Sequence, residues 1–175
     1  MRASLQRLLL AGSAMVTALV AVSSADAAIN FHSGPTVSVE GNEICYAFNA
    51  SGLGNIDVNV AVTATFGATT TCRNKGGNVA PGQGVVTLTR SFPTETFHPK
   101  NGRVNVDECT VAPRGSDFPT PTSQQAGCPN GNWTVDPIRT SAIFLRNYSV
   151  TITYDTNPDT TLFSCTSPTQ GAACQ

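Results

Sequence analysis

Hydrophobic and polar residues alternate strictly over residues 56–66, and this segment organises our interpretation of the chain. Its even positions are all apolar, whereas its odd positions are polar apart from Ala61. A strand places every second residue on the same face, while a helix would scatter this pattern around its axis. The pattern therefore predicts a strand about 35 Å long, with one face on a core and the other in water.

Shorter alternating or apolar runs predict a largely antiparallel set of strands. Turn residues at 50–55 predict a hairpin between 43–49 and 56–66. An Asn101-Gly102 pair predicts a second hairpin that joins the segment ending at His98 to 103–108. No ten-residue window after residue 27 has helical periodicity with caps. We predict an all-β fold, a disulfide-stapled antiparallel β-sandwich of immunoglobulin-like architecture with seven to nine strands. The remaining segments are 35–40, 85–92 with its extended continuation 94–98, 133–135, 141–145, 148–155 and 161–165.

The first 27 residues have the organisation of a secretory signal peptide. Arg2 and Arg7 precede an uncharged apolar run over 8–22, and Ala25 and Ala27 occupy the positions that signal peptidase recognises. The alternative is an uncleaved anchor, but the run is shorter than the ~20 residues that a spanning helix needs. We predict a signal peptide at 1–27, one domain at 28–175 and a secreted or periplasmic location.

The charge composition argues against a nucleic-acid or anionic-membrane partner. Only 12% of residues are charged and the formal net charge is −1, with no basic stripe. Such partners need concentrated positive charge. Threonine and asparagine supply much of the polar surface instead, as is common in strand-rich secreted domains.

Six cysteines predict three disulfides in an exported chain of this size. There is no C-x-x-C pair, and His32 and His98 are the only histidines, so the sequence does not indicate a structural zinc site. Six cysteines allow fifteen pairings. We expect local pairs to close the 110–132 loop and to pin the C-terminal tail, with the third pair assigned by subtraction. The predicted pairs are Cys109–Cys128, Cys165–Cys174 and Cys45–Cys72.

Two loops and one aromatic residue are the expected variable surface. The Gly-rich segment 73–84 lacks the features of a phosphate loop, so it is interpreted as a connection. The Pro-rich segment 110–132 is either a mobile binding loop or a loop tied down by a disulfide, and we favour the second. Trp133 is either a core residue or a surface anchor for a glycan or protein.

The evidence for catalytic or metal chemistry in the sequence is weak. Asp155, Asn157 and Asp159 have the spacing of a calcium loop, but the sixth position is Thr160 instead of glycine and no bidentate glutamate follows. Neither histidine lies near a recognisable nucleophile motif such as G-x-S-x-G. A hydrolase would require His98 or a carboxylate pair to face a pocket. We predict no cofactor and no catalytic residue.

The leading hypothesis is therefore a non-catalytic binding, adhesive or surface-structural module. Its partner would be an extracellular protein or a glycan, and the oligomeric state stays open. One alternative is a small secreted inhibitor of an extracellular enzyme, which would present a braced loop at 110–127. A secreted hydrolase is the third hypothesis.

Overall fold

The chain folds almost entirely into β-strands. The computed structural model describes residues 29–156 and 159–167, and the predicted signal peptide lies outside these ranges. The described residues contain no α-helix, only two single turns of 3₁₀-helix; none of their helices has the length and apolarity to cross a membrane. The strands are β1 (Asn30–Glu40), β2 (Glu43–Ser51), β3 (Val58–Asn74), β4 (Val79–Ser91), β5 (Glu95–Phe97), β6 (Arg103–Cys109), β7 (Trp133–Val135), β8 (Ile143–Tyr154) and β9 (Thr160–Ser167).

Two antiparallel sheets pack against each other, so the predicted β-sandwich is confirmed. The smaller sheet has the order β1-β2-β6, and the larger has the order β4-β3-β8-β9. Short strands β5 and β7 also pair with β3, near its first and last residues respectively. β5 lies on the same side of β3 as β4, and β7 lies on the same side as β8. Each pairs with residues of β3 that the longer strand on its side does not reach. The two-layer arrangement is consistent with an immunoglobulin-like architecture.

The alternation predicted for 56–66 is confirmed in β3, which supplies one wall of the core. Its even side chains are buried from Val58 onwards, and burial continues to Cys72, beyond the predicted end of the strand. Ile56 lies before the strand and is exposed. The opposite wall comes from alternate residues of β2, namely Ile44, Tyr46 and Phe48, which belong to the same hydrophobic cluster.

The hairpin predicted between 43–49 and 56–66 is wrong. β2 pairs with β1 and β6, whereas β3 lies in the other sheet. The connection crosses between the layers with the fully buried side chain of Leu53 in the core. The backbone N–H of Leu53 donates to Gly102 at 3.1 Å, and its carbonyl accepts from the Tyr154 hydroxyl at 3.1 Å. The turn residues were therefore identified correctly, but they serve a crossing instead of a hairpin.

The Asn101-Gly102 turn is present, although the hairpin predicted around it is also wrong. Both residues have positive φ angles, 53° and 69°, as a type I′ turn requires. Lys100 and Arg103 exchange backbone hydrogen bonds of 2.8 and 3.1 Å. Beyond this single bridge the chain diverges, because β5 joins the larger sheet and β6 joins the smaller one.

Two of the predicted disulfide pairs are wrong. The structure links Cys45 to Cys109 and Cys72 to Cys128. Cys45 and Cys109 are directly opposite each other on β2 and β6, with 4.0 Å between their Cα atoms. Because these four cysteines are bonded in this way, the predicted Cys45–Cys72 and Cys109–Cys128 pairs are excluded. These bonds indicate an oxidising compartment.

The third predicted pair is only partly within the described residues. Cys165 lies in β9, is nearly buried and is disulfide-bonded. Its predicted partner Cys174 lies outside the described residues.

The 110–132 loop is tied down as expected, but through Cys72. Its carbonyls at Ala126 and Gly127 accept hydrogen bonds of 2.9 and 3.2 Å from the backbone N–H groups of Gly84 and Gln83. A Cβ atom at Gly84 would lie 2.3 Å from the Gln125 carbonyl oxygen, so glycine permits this close approach. The segment 73–84, predicted as a Gly-rich connection, is mostly strand, because β3 extends to Asn74 and β4 begins at Val79. The loop pairs with this part of β4 at Gln83 and Gly84.

Replacing Val60 with Asp should prevent folding. The side chain is 1% exposed, so the variant would bury an unpaired carboxylate at a cost of several kcal/mol, comparable with the whole stability of a domain. Far-UV circular dichroism of the purified variant measures the outcome. Ala61→Asp is the matched control, because Ala61 is the exposed neighbour. A native spectrum for Val60→Asp would contradict the assignment of faces.

Removing the Cys72–Cys128 bridge should loosen the 110–132 loop. The double variant Cys72→Ala/Cys128→Ala is expected to lose about 2–4 kcal/mol of unfolding free energy and to be cleaved within the loop in limited proteolysis. Cys45→Ala/Cys109→Ala is the control, since it should lose stability while the loop stays protected. A disulfide map that joins Cys109 to Cys128 would contradict the structure.

Candidate functional site: a basic groove beside strand β6

A groove of about 600 Å³ is lined by β5, the turn that follows it and the first residues of β6, with Asn49 of β2 beside them. We call it the basic groove, and it is lined by Asn49, 96–98, Lys100 and 103–105. The Asn101-Gly102 turn, which joins the two sheets, lies within the segment that lines it. The point where the chain passes from one layer to the other therefore builds the site.

The β5 wall is fixed by contacts to both sheets. Phe97 pairs with Val58 of β3 and makes an edge-to-face contact with Phe48 of β2, with ring centroids 6.5 Å apart. Beside it, the buried Tyr46 hydroxyl donates to Glu95 Oε2 at 2.7 Å. This short strand is thus held by a ladder, an aromatic contact and a hydrogen bond that crosses the layers.

The β6 wall is the edge of the smaller sheet. Among the described residues β6 pairs with β2 alone. The backbone N–H of Thr110 donates to the Ile44 carbonyl at 2.9 Å, so these two residues form a hydrogen-bonded pair of the antiparallel ladder. Because bonded and non-bonded pairs alternate, Asn105 and Asp107 direct their backbone N–H and C=O groups away from β2. The groove is therefore bounded by a strand edge that has a strand on one side only.

The groove concentrates positive charge in a chain whose net charge is slightly negative. Lys100 and Arg103 are exposed and line it together. Within the described ranges neither forms an ion pair, whereas Arg73 pairs with Asp136 at 3.0 Å. Two exposed cations that form no ion pair among the described residues favour an anionic ligand.

His98 adds a third nitrogen-bearing side chain to the groove. It is 77% exposed, and its Nδ1 lies 2.7 Å from Asp57 Oδ1. For the residues that the structure describes, no hydrogen bond is made by its Nε2. His98 thus has a carboxylate on one side of the ring and solvent on the other. His32 lies elsewhere, with its Nε2 2.8 Å from the Ser51 hydroxyl.

The residues singled out in the sequence lie away from the basic groove. Trp133 is half-buried in β7 and pairs with Asn74 at the end of β3 opposite to Val58. Its backbone carbonyl accepts a hydrogen bond from the Ser123 hydroxyl. Because Trp133 is neither buried nor fully exposed, its two predicted roles stay open.

The calcium-loop hypothesis stays a prediction. Asp155 and Asp159 are exposed, and Asn157 lies outside the described residues. In the part of the chain that the structure describes, no group of three or more His, Cys, Asp or Glu side chains is placed to hold a metal ion.

Comparison with known proteins gives no assignment. No protein-family model, no curated protein and no solved structure matches this chain. The function must therefore be argued from the groove itself. The sequence analysis identified the Asn101-Gly102 turn but not the groove beside it. The signal for the groove was the pair of cations that flank this turn, Lys100 and Arg103.

The Tyr46–Glu95 contact should make the protein sensitive to alkali. Burial and the hydrogen bond to Glu95 raise the pKa of the Tyr46 phenol. Above pH ~10 the unfolded chain loses a proton that the folded chain keeps, so the unfolding free energy falls as pH rises, by up to about 1.4 kcal/mol per pH unit. Urea denaturation at several pH values should show a shallower decline for Tyr46→Phe. Identical slopes in both proteins would contradict this interpretation.

Proposed function

We propose that this protein is a secreted, non-catalytic binding module that takes an anionic ligand in the basic groove. The observation that carries the proposal is the pair of cations, Lys100 and Arg103, on a rigid wall without an acidic partner among the described residues. Rigidity matters because a preformed site loses less conformational entropy when a ligand binds. Secretion is supported by the disulfides and by the predicted signal peptide.

The surroundings of His98 support binding over hydrolysis. His98 and Asp57 resemble two members of a catalytic triad, in which the second ring nitrogen must reach a nucleophile. Within the described ranges, His98 Nε2 has no hydrogen-bond partner that could serve as one. The imidazole is also largely solvated, while catalytic bases work in sites that restrict water. In this proposal His98 contributes a polar contact at the rim of the groove.

The inhibitor hypothesis has less support than the groove. An inhibitory loop must project its contact residues, yet four residues of the predicted 110–127 loop are buried against the sandwich. These are Thr110, Pro113, Phe118 and Ala126. The loop is packed down on β4 and braces the scaffold.

The expected affinity is modest and dependent on salt. Exposed ion pairs contribute about 0.2–1 kcal/mol each, so two cations give attraction and orientation but cannot alone give tight binding. Binding should weaken as ionic strength rises, because exposed charges are screened over about 8–10 Å at physiological salt. Further affinity must come from uncharged contacts along the walls of the groove.

Binding of two anionic polymers to the purified mature protein tests the proposal. Heparin supplies sulfates and polyglutamate supplies carboxylates, and fluorescence anisotropy measures their affinity at two salt concentrations. Lys100→Gln/Arg103→Gln should weaken binding of at least one polymer about tenfold, the change expected for ~1.4 kcal/mol. The matched control is Lys75→Gln/Arg146→Gln, which removes two exposed charges outside the groove. Equal loss in both variants, or no binding of either polymer, would contradict the proposal.

A further inference from the structure

We infer that the natural ligand of the basic groove is an extended peptide that adds to β6 as the fourth strand of the smaller sheet. Its acidic residues would lie beside Lys100 and Arg103. This inference rests on the proposed function and goes beyond it by naming the chemical class of the ligand. It is carried by the juxtaposition of a strand edge, a charged turn and an apolar side chain in one groove.

The backbone of β6 provides the main recognition surface. Its outward-directed groups at Arg103, Asn105 and Asp107 form an alternating row of donors and acceptors, and the first two of these residues line the groove. An extended peptide placed about 4.8 Å away pairs with such a row and gains main-chain hydrogen bonds regardless of its side chains. A glycan has no matching repeat of amide donors, so the edge favours a polypeptide.

The other outer strands offer poorer templates for such a partner. The edge of β4 is paired with the 110–132 loop at Gln83 and Gly84, and its one charged residue, Arg90, lies 3.8 Å from Asp117 of that loop. The pairing of β1 with β2 is shifted on both sides of Ser33, and the nearby Pro35 has no N–H to donate. β9 contains no charged residue, so it offers nothing to select an acidic partner. Among the outer strands described, β6 therefore combines a regular edge with charge.

The charges along β6 define the polarity of the ligand. Arg103 and the neighbouring Lys100 are at its first end, whereas Asp107 and Glu108 are near its last. A peptide with acidic residues at the turn end and a basic residue at the far end is complementary, and the reverse arrangement places like charges together. An antiparallel β6 from a second copy of the chain would also be complementary, so self-association of the unliganded protein through this edge would overturn the inference.

Apolar contacts with Phe97 and Val104 in the groove would supply the affinity that the two cations cannot give. Phe97 is half-buried, held by its contact with Phe48, and Val104 is nearly buried below it in the lining of the groove. A β-branched or aromatic side chain from the peptide can cover this surface. Alternate side chains of an added strand point the same way, so an apolar residue should recur at every second position.

Two synthetic peptides test the inference. One is Asp-Asp-Thr-Val-Thr-Val-Thr-Lys and the other is its reverse sequence, because addition parallel or antiparallel to β6 places opposite ends beside Lys100. Isothermal titration calorimetry should show binding of one of them to the mature protein, weakened about tenfold or more when Asn replaces both Asp residues. Lys100→Gln/Arg103→Gln should cause a similar loss, and Lys75→Gln/Arg146→Gln should not.

N-methylation of the peptide backbone separates strand addition from simple charge attraction. Methyl groups on one set of alternate amides should abolish binding, since those N–H groups face β6, whereas methyl groups on the other set should change affinity by less than about threefold. Equal effects of the two sets would overturn the inference. Failure of both peptides to bind, while heparin or polyglutamate binding still depends on Lys100 and Arg103, would overturn it and leave the proposed function standing. If no anionic probe binds, both fail.

Discussion

The packing of the even face of β3 against the smaller sheet is the interaction on which the rest of the structure depends. β3 is the strand with which β4, β5, β7 and β8 all pair, and its side chains from Val58 to Cys72 form the wall of the core. Because this wall must be covered over its whole length, the chain crosses between the layers from β2 to β3 and again from β5 to β6. Those crossings create the groove, so the candidate site is a consequence of how the core is closed.

The disulfides and the glycines together convert a long irregular segment into part of the scaffold. Cys72–Cys128 ties the 110–132 loop to the inner face of β3, and Gly84 allows the loop backbone to reach the edge of β4. A covered edge cannot pair with another chain. Of the other outer strands described, β6 is the one whose free edge lies beside the charged turn at 100–103.

The sequence predicted features that depend on neighbours along the chain and failed on those that depend on the fold. The alternation at 56–66 and the Asn101-Gly102 turn were correct, because a period of two and a positive φ are local properties. The hairpins were wrong, because a short connection can either reverse within one sheet or cross to the other, and the choice depended on burial of Leu53. Cysteine pairing failed for the same reason, since it follows strand order instead of sequence distance.

The groove could not be predicted, although its residues were visible. Lys100 and Arg103 are unremarkable as a pair until β5 and β6 are known to lie in different layers. The free edge of β6 likewise follows from strand order, and strand order cannot be predicted from a local sequence pattern. His98 was considered as a catalytic base, but its place beside Asp57 follows from β5 pairing with the start of β3. Functional reasoning from sequence was thus limited by long-range topology.

Native-state amide hydrogen exchange of the unliganded protein, followed by nuclear magnetic resonance, tests the central claim most directly. We expect alternation along β6, with slow exchange at Val104 and Val106, which bond to β2, and fast exchange at Asn105 and Asp107, whose backbone groups are directed away from β2. Slow exchange at all four amides would contradict it, because the edge would then already be paired and unavailable to a ligand.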